Sequence, residues 1–338
     1  MEKILLLAAT EPDGSLGKPA FEALAAAKTF ADGIPGSTLT VGLIGASAQN
    51  GADALASCGA VKFLAVTGDA FKDGVYANDT AAAEALVKAS GATLVLAPAT
   101  SRINRFISGA AARLGGCVDT HATEVAVKDA SPVVTRWYYR QRMTASVKRP
   151  ARPWFITVDP GSLAPWSGAA GKAAIEAVTA PTPSKSKVTG VKSPSSGAQT
   201  IKPEAALLFV AGAGWCKKQA DGATHVPEAE KAILSFLEKA QASLGGSKSL
   251  VDQSGDGTAT LTFMTHLNQV GQTGATPRHP KGLSTCCHGE EPHVVGWRFV
   301  NERRAINLNP SCGWAQGKAD VLYVADAFAL VSKVNELL

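Results

Sequence analysis

The sequence predicts an α/β protein: an N-terminal Rossmann-like domain on a parallel sheet, a β-rich extension, and then a smaller α/β domain. Three observations lead to this fold class. The 338 residues are enough for two ordinary domains. Apolar runs alternate with helical patterns in both halves, and a polar connector separates them. The 33 glycines and many small apolar residues suit helices that pack closely on a parallel sheet.

Strands and helices alternate through the first part of the chain. Short apolar runs predict four strands, and helical periodicity predicts three helices that join them by right-handed crossovers. The strands are expected at 4–9, 39–44, 61–66 and 93–97, and the helices at 19–30, 79–90 and 102–114. Thr100 or Ser101 is a natural N-cap for the third helix. Residues 117–158 change to β-rich segments that could form hairpins.

Residues 181–203 contain much Ser, Pro and Lys and almost no large apolar side chain, so they predict an extended connector. The expected organisation is an N-terminal domain at 1–178, a linker at 179–203 and a second domain at 204–338. In the second domain the alternation restarts. Its strands are expected at 205–211, 249–253, 305–308 and 321–325, and its helices at 226–244 and 328–338.

Charge and composition bound the functional class. The net charge is +5, and the densest basic cluster runs from Arg136 to Arg152 among aromatic residues. It alternates like an edge hairpin, so a solvated or subunit-facing strand is favoured over nucleic-acid binding. No segment reaches the ~18 apolar residues of a membrane span, and the N-terminus lacks a signal-peptide pattern. Six cysteines without a disulfide spacing fit a soluble, cytoplasmic protein with reduced thiols.

The most specific motif is Val270-Gly271-Gln272-Thr273-Gly274, followed some thirty residues later by Ala305-Ile306-Asn307. Its two glycines bracket a carboxamide and a hydroxyl group. The backbone can therefore approach a flat or phosphorylated ligand closely, and the two side chains can hydrogen-bond it.

These motifs resemble the α subunit of electron transfer flavoproteins. In that family VGQTG is followed by eleven residues and then GISGAIQH; here eleven residues separate it from residues 286–293, CCHGEEPH. Gly296 and Ala305-Ile306-Asn307 then fall on the family's positions, and Ala319-Asp320 and Asp326 follow with one extra residue. Residues 94–101, the helix ending at 111–115 and the strand pair around Tyr139 and 144–147 are similar to the family's first domain. The chain is identified as a divergent member over nearly its whole length.

The resemblance implies FAD, bound mainly by the second domain. It also implies a β subunit as partner, a dehydrogenase as electron donor, and a quinone-linked, membrane-associated or ferredoxin-type acceptor. The chain would be an electron carrier rather than a self-contained enzyme, with no residue acting as a nucleophile. A flavin-less subunit of the same fold, regulatory or structural and binding an adenine nucleotide or nothing, is the alternative.

The resemblance also assigns roles to residues. Thr273 would sit near the flavin N5 and Gln272 with the glycine amides near the ribityl and phosphate region. His293 would lie at the flavin's carbonyl and N1 edge, and Asn307 and Asp320 at the phosphate and adenosine ribose end. The expected FAD-binding residues are Gly212, Trp215, Lys217, Ser247, Lys248, Val270, Gly271, Gln272, Thr273, Gly274, His288, Gly289, His293, Asn307 and Asp320.

The sequence departs from the family where an Arg normally packs over the flavin. Gly214 stands at that position. Lys217 or Arg298 could supply the charge, and Trp215 could stack on the ring instead; Lys lacks the planar fork of Arg. Likewise, the family's Ser-Arg motif becomes Ser247-Lys248.

The largest departure is at residues 286–291, where Glu290 and Glu291 would repel the phosphates unless they point away or pair with Arg. Soft ligands also gather there, but no CxxC pair exists, so no metal is predicted. A redox role for the adjacent cysteines is a more distant alternative. The ligand types in question are at Cys286, Cys287, His288, His293 and Cys312.

Overall fold

A computed structural model describes residues 1–138, 143–190, 201–202, 205–253, 260–270, 279–285, 300–312, 315–316 and 319–338. The chain divides into two compact units, Met1–Lys192 and Ser193–Leu338, and each unit is built on its own sheet. The first sheet is large and mostly parallel, and the second is parallel throughout. The α/β fold class predicted from the sequence is confirmed.

The first unit contains every strand and helix expected before residue 117, with bounds that differ by a few residues. The N-cap of the third expected helix is Thr100, whose side chain accepts a hydrogen bond from the Ile103 N–H. The helix at 49–54 and the last strand were not predicted. The elements are β1 Lys3–Ala9, α1 Lys18–Gly33, β2 Thr38–Gly45, α2 Gln49–Ala54, β3 Lys62–Thr67, α3 Tyr76–Ser90, β4 Leu94–Pro98, α4 Ser101–Arg113, β5 Cys117–Lys128, β6 Ser131–Tyr138, β7 Met143–Val147, β8 Trp154–Val158 and β9 Ile175–Ala177.

The strands of the first unit follow the order β7-β6-β5-β8-β4-β1-β2-β3-β9. The expected hairpins are the antiparallel pairs β5·β6 and β6·β7, with β7 at the edge of the sheet. In contrast, β8 inserts parallel to both β4 and β5, which only the tertiary fold brings together. Apolar side chains fill both faces of the sheet, including Leu24 and Phe30 on one face and Leu86 and Phe106 on the other. Burial on both faces is the usual environment of a parallel sheet.

The chain beyond β8 runs along the first unit in extended form. Asp53 holds it through the Ala173 N–H at 3.0 Å and the Lys172 ammonium at 2.9 Å. These bonds, the backbone one foremost, lower the pKa of Asp53 to about 2. Further on, the Ser184 N–H donates to Asn78 Oδ1 at 3.0 Å. The first residues of the expected connector are therefore attached to the first unit.

The second unit is a five-stranded parallel sheet in the order β11-β10-β12-β13-β14. Its helices α5 and α7 pack against each other, and the face they cover includes Phe209 and Phe236. The opposite face carries Leu208, Val210 and Val270. The elements are β10 Leu207–Ala211, α5 Val226–Lys239, β11 Ser243–Gly246, α6 Lys248–Asp252, β12 Lys281–Thr285, β13 Glu302–Asn307, β14 Val321–Val324 and α7 Ala327–Leu337.

The predicted helix at 226–244 is confirmed as far as Lys239, and the predicted strand at 249–253 is wrong. Helix α5 ends at Lys239, β11 follows, and residues 248–252 form helix α6. The chain turns at Gln241, whose φ is +49°. A Cβ on Gly245 would lie 2.5 Å from Val270 Cγ2, so this strand requires a small residue and lacks the β-branched pattern from which strands are predicted. Strand β12 was likewise not predicted.

Candidate functional site

The carboxyl ends of the second unit's strands meet at one edge of the sheet. The register aligns Ala211 with both Gly246 and Thr285, and Asn307 with Val324. The strand order is 2-1-3-4-5, so successive connections leave β10 in opposite directions. In sheets of this kind a ligand binds outside the carboxyl ends, at the point where the order reverses. The edge between β10 and β12 is that point here.

The loop after β10 is tied to the end of β12. The Gly212 N–H donates to the Thr285 carbonyl at 2.9 Å, and residues 213–216 form a single 3₁₀ turn. Trp215 is fully buried: its indole N–H donates to Thr285 Oγ1 at 2.8 Å, and its ring lies 4.6 Å from that of Phe328. Gly214, which stands at the family's Arg position, is buried in the same turn.

Trp215 therefore joins the two loops at the switch point and supports helix α7. With no exposed surface on the indole, stacking of Trp215 on a flavin ring remains a sequence-based prediction that the observed contacts do not favour. Burial also raises the pKa of the neighbouring Cys216 thiol, which keeps it protonated and unreactive.

After β11, Ser247 and Lys248 begin helix α6. The Ser247 N–H donates to the Ala211 carbonyl at 2.9 Å, and its hydroxyl accepts from the Leu250 N–H at 3.2 Å as an N-cap. Lys248 forms an ion pair with Asp252 on its own helix. Ser247 thus lies at the carboxyl edge of the sheet, and its hydroxyl is already used as the N-cap of α6. The Lys248 charge is partly neutralised by Asp252.

The beginning of the glycine-rich motif is anchored at the same edge. The Val270 N–H donates to the Gly246 carbonyl at 2.9 Å, and the Val270 side chain packs over Gly245 on the face opposite α5 and α7. The remaining residues of the expected flavin contact set on this side fall outside the described residues. They are Gly271, Gln272, Thr273, Gly274, His288, Gly289 and His293.

Asn307 and Asp320 lie at opposite ends of their strands. Asn307 ends β13, is buried, and its Oδ1 accepts from the Asn309 N–H at 2.9 Å. Asp320 precedes β14, about 13 Å along the strand from the carboxyl edge. Its carboxylate accepts from the Arg303 N–H at 2.7 Å and the Arg303 guanidinium at 2.8 Å, which lower its pKa. Among the described residues of the expected set, Asp320 therefore lies away from the carboxyl edge where Gly212, Ser247 and Asn307 meet.

A groove of about 1010 Å³ opens beside this edge, on the face covered by α5 and α7. Its walls come from the loop after β10, the first turn of α5, the end of β13 and the first turns of α7. The lining residues are Lys218, Gln219, Ala220, Asp221, His225, Glu228, Leu308, Asp326, Phe328, Ala329 and Ser332.

None of these lining residues belongs to the contact set expected from the sequence, and among them Asp326 matches a position of the family. It follows β14 at the carboxyl edge, and its Oδ1 accepts from the Ala329 N–H at 2.8 Å as the N-cap of α7. The sequence signal was present, since Asp326 matches the closing Asp of the family. The resemblance gave the role to Asp320 through the Ala319-Asp320 match, whereas the bounds of β14 show that Asp320 precedes the strand and Asp326 follows it.

Of the five candidate metal ligands, the structure describes Cys312, which is buried and packs with the apolar face of Val210 and Val270. The other four lie outside the described residues. Within the described ranges, no three His, Cys, Asp or Glu side chains cluster as a metal site.

Comparison with known protein families identifies the first unit. Residues 4–183 match the electron transfer flavoprotein domain, which is more than half of the chain. The chain belongs to the electron transfer flavoprotein family. A search of curated proteins found no match. None of the helices in the described part of the chain has both the length and the apolar character that a membrane span requires.

Proposed function

We propose that this chain is the α subunit of a heterodimeric electron transfer flavoprotein. It binds FAD at the carboxyl edge of the second sheet and carries electrons from a dehydrogenase to a quinone-linked, membrane-associated or ferredoxin-type acceptor. A β subunit completes the module. When bound, FAD supplies the one- and two-electron chemistry, and the protein's part is to hold and orient it.

The observation that carries the proposal is the meeting of the motif positions at one sheet edge in a chain of this family. Gly212, Ser247, Val270 and Asn307 all lie where β10, β11 and β13 end, and Val270 leads directly into the glycine-rich motif. Ligands of doubly wound sheets bind at this edge. These positions come from four separate segments of the sequence, and the fold brings them to one edge of the sheet.

The groove supports the proposal by size and chemistry. Its volume of about 1010 Å³ is at the upper end of small-molecule sites, which suits a dinucleotide. Phe328 and Leu308 offer apolar surface, and the Asp326 carboxylate can accept hydrogen bonds from ribose hydroxyls. We therefore propose Asp326, in place of Asp320, as the carboxylate that contacts the adenosine end. Lys217 remains a candidate for the charge that Gly214 lacks.

The second candidate is a flavin-less subunit of the same fold. It is favoured by the glycine at the family's Arg position and by the three carboxylates on the groove, Asp221, Glu228 and Asp326. The missing guanidinium removes a positive charge and the three carboxylates add negative charge, so both would weaken the binding of phosphates.

The test is FAD binding by the full chain, alone and co-expressed with its β subunit. We expect a yellow heterodimer, and calorimetry should show FAD binding more tightly than FMN or AMP. A colourless, folded heterodimer that takes up no added FAD would refute the proposal. AMP binding without FAD binding would establish the second candidate.

Two matched substitutions localise the site. Asp326→Asn keeps an N-cap residue but removes the charge, and we expect FAD affinity to fall about tenfold because a hydrogen bond to a charged group is lost. Asp320→Asn should leave the affinity unchanged. The reverse result would restore the sequence-based assignment of Asp320.

A further inference from the structure

The wall of the groove formed by residues 217–225 is held by its own side chains. Gln219 Nε2 donates to the Lys217 carbonyl at 2.7 Å and to the Gly214 carbonyl at 3.2 Å. Asp221 Oδ1 accepts from the Ala223 N–H at 3.0 Å, and its Oδ2 lies 2.7 Å from His225 Nε2. Asp221 thus joins the turn of the loop to the histidine that precedes α5.

His225 stands between two carboxylates at the mouth of α5. Its Nδ1 lies 3.8 Å from Glu228 Oε1, in addition to the contact with Asp221. On the other wall, the ring of Phe328 meets it edge-on at 6.4 Å between centroids. The charged groups that face the groove from these elements are Lys218 and Asp221 on the loop, Glu228 on α5, and Asp326 at the start of α7.

We propose that His225 controls the affinity of the groove for a phosphate-bearing ligand by neutralising Asp221 and Glu228 when it is protonated. This inference rests on the proposed function. With a cationic His225, the five charged side chains of the groove sum to about −1; with a neutral one they sum to about −2. The pyrophosphate of FAD is anionic, so the second state repels it more.

The direction of the pH effect follows from the contacts. The bond to Asp221 is the main cause that raises the pKa of His225 above its ordinary value of 6.5, and Glu228 adds to it. The cationic form therefore persists to a higher pH than in an unperturbed histidine and is lost as the pH rises through the raised pKa. FAD affinity should be higher at low pH and fall over this interval.

The experiment measures the FAD dissociation constant of the full chain from pH 5.5 to 9 by calorimetry, in low and high salt. For the wild type we expect an increase of about two- to fivefold across the interval at low salt, the size that exposed charge pairs produce, and less at high salt. His225→Gln should flatten the profile at the weaker affinity. His225→Lys, a permanent cation, should keep the tighter affinity at every pH.

His266→Gln is the matched control, since His266 is exposed in the same unit and does not line the groove. It should retain the wild-type profile. A His225→Gln variant with the full pH dependence, or a wild type whose affinity does not change with pH, overturns the inference while leaving FAD binding intact. A folded wild type that binds no FAD at any pH refutes the proposed function itself, and the inference with it.

Discussion

The two sheets of this protein end differently at the edges where their parallel strands stop. In the first unit the loops at that edge hydrogen-bond one another: Thr10 Oγ1 donates to the Ser47 carbonyl at 2.8 Å, and Asn50 Nδ2 to the Asp13 carbonyl at 2.7 Å. In the second unit the loops line a groove of about 1010 Å³.

Arg102 joins three elements of the first unit at this edge. Its guanidinium bonds the buried Asp79 carboxylate at 2.8 and 3.0 Å and donates to the Phe71 carbonyl at 2.6 Å, so it joins α3, α4 and the loop after β3. The same parallel architecture thus gives either a self-satisfied edge or a ligand-sized groove. The difference lies in whether the loop side chains can reach one another.

The largest expected effect is on this closed edge. Arg102→Ala leaves Asp79 charged, buried and without its guanidinium, so we expect the free energy of unfolding of the first unit to fall by about 3–5 kcal/mol. Urea denaturation followed by circular dichroism measures it. Arg105→Ala removes a neighbouring exposed Arg that donates to the Gly74 carbonyl, and it should cost at most about 0.5 kcal/mol. Equal effects of the two changes would show that Arg102 does not close the edge.

The second effect concerns a side-chain hydrogen bond across the open edge, from Trp215 Nε1 to Thr285 Oγ1. Trp215→Phe removes the indole donor and leaves a small cavity, so the second unit should lose about 1–3 kcal/mol. A double-mutant cycle with Thr285→Val should give a coupling energy of about 1 kcal/mol in the free energy of unfolding. Additive effects of the two substitutions would mean that the hydrogen bond does not hold the loops together.

The smallest effect is a pH dependence confined to the first unit. The pKa of Asp53 is about 2, below its ordinary value of 3.8, so its ionised form stabilises the fold above about pH 4. This contribution is lost as the pH falls toward 2. Asp53→Asn should therefore flatten the loss of stability between pH 4 and pH 2, measured by urea denaturation at each pH.

Asp32→Asn provides the comparison, because Asp32 forms an exposed ion pair with Lys28 on one helix. It should leave the acid dependence as in the wild type. If Asp53→Asn denatures with the wild-type acid profile, the attachment of the extended segment at Ala173 is not what lowers its pKa.

Most of the first unit was predictable because each strand and helix carries its own signal. Buried apolar runs gave the strands, and periodic patterns with a Thr100 cap gave the helices. Helix α2 and strand β9 were missed because they are short, and β9 exists only through pairing with β3. The second unit was predicted less well, since β11 consists of Ser, Leu and two glycines and can be recognised only beside β10 and Val270.

The candidate site shows the same limit residue by residue. Sequence spacing alone aligned Ser247, Val270 and Asn307, and the fold brings all three to the carboxyl edge. The sequence spacing could not show which of Asp320 and Asp326 lies at that edge. The two residues are six positions apart, at opposite ends of β14. The sequence also could not show that the Trp215 indole N–H donates to Thr285, because that contact joins residues seventy positions apart.

The sequence by itself determined the α/β class, the family resemblance and the positions of the motifs that carry this resemblance, because periodicity and motif spacing are local properties of the chain. The tertiary structure decided which side chains share an edge, which carboxylate faces the groove, and that His225 lies between Asp221 and Glu228. These depend on strand order, register and the direction in which each strand runs. They are properties of distant segments in contact, and no local pattern contains them.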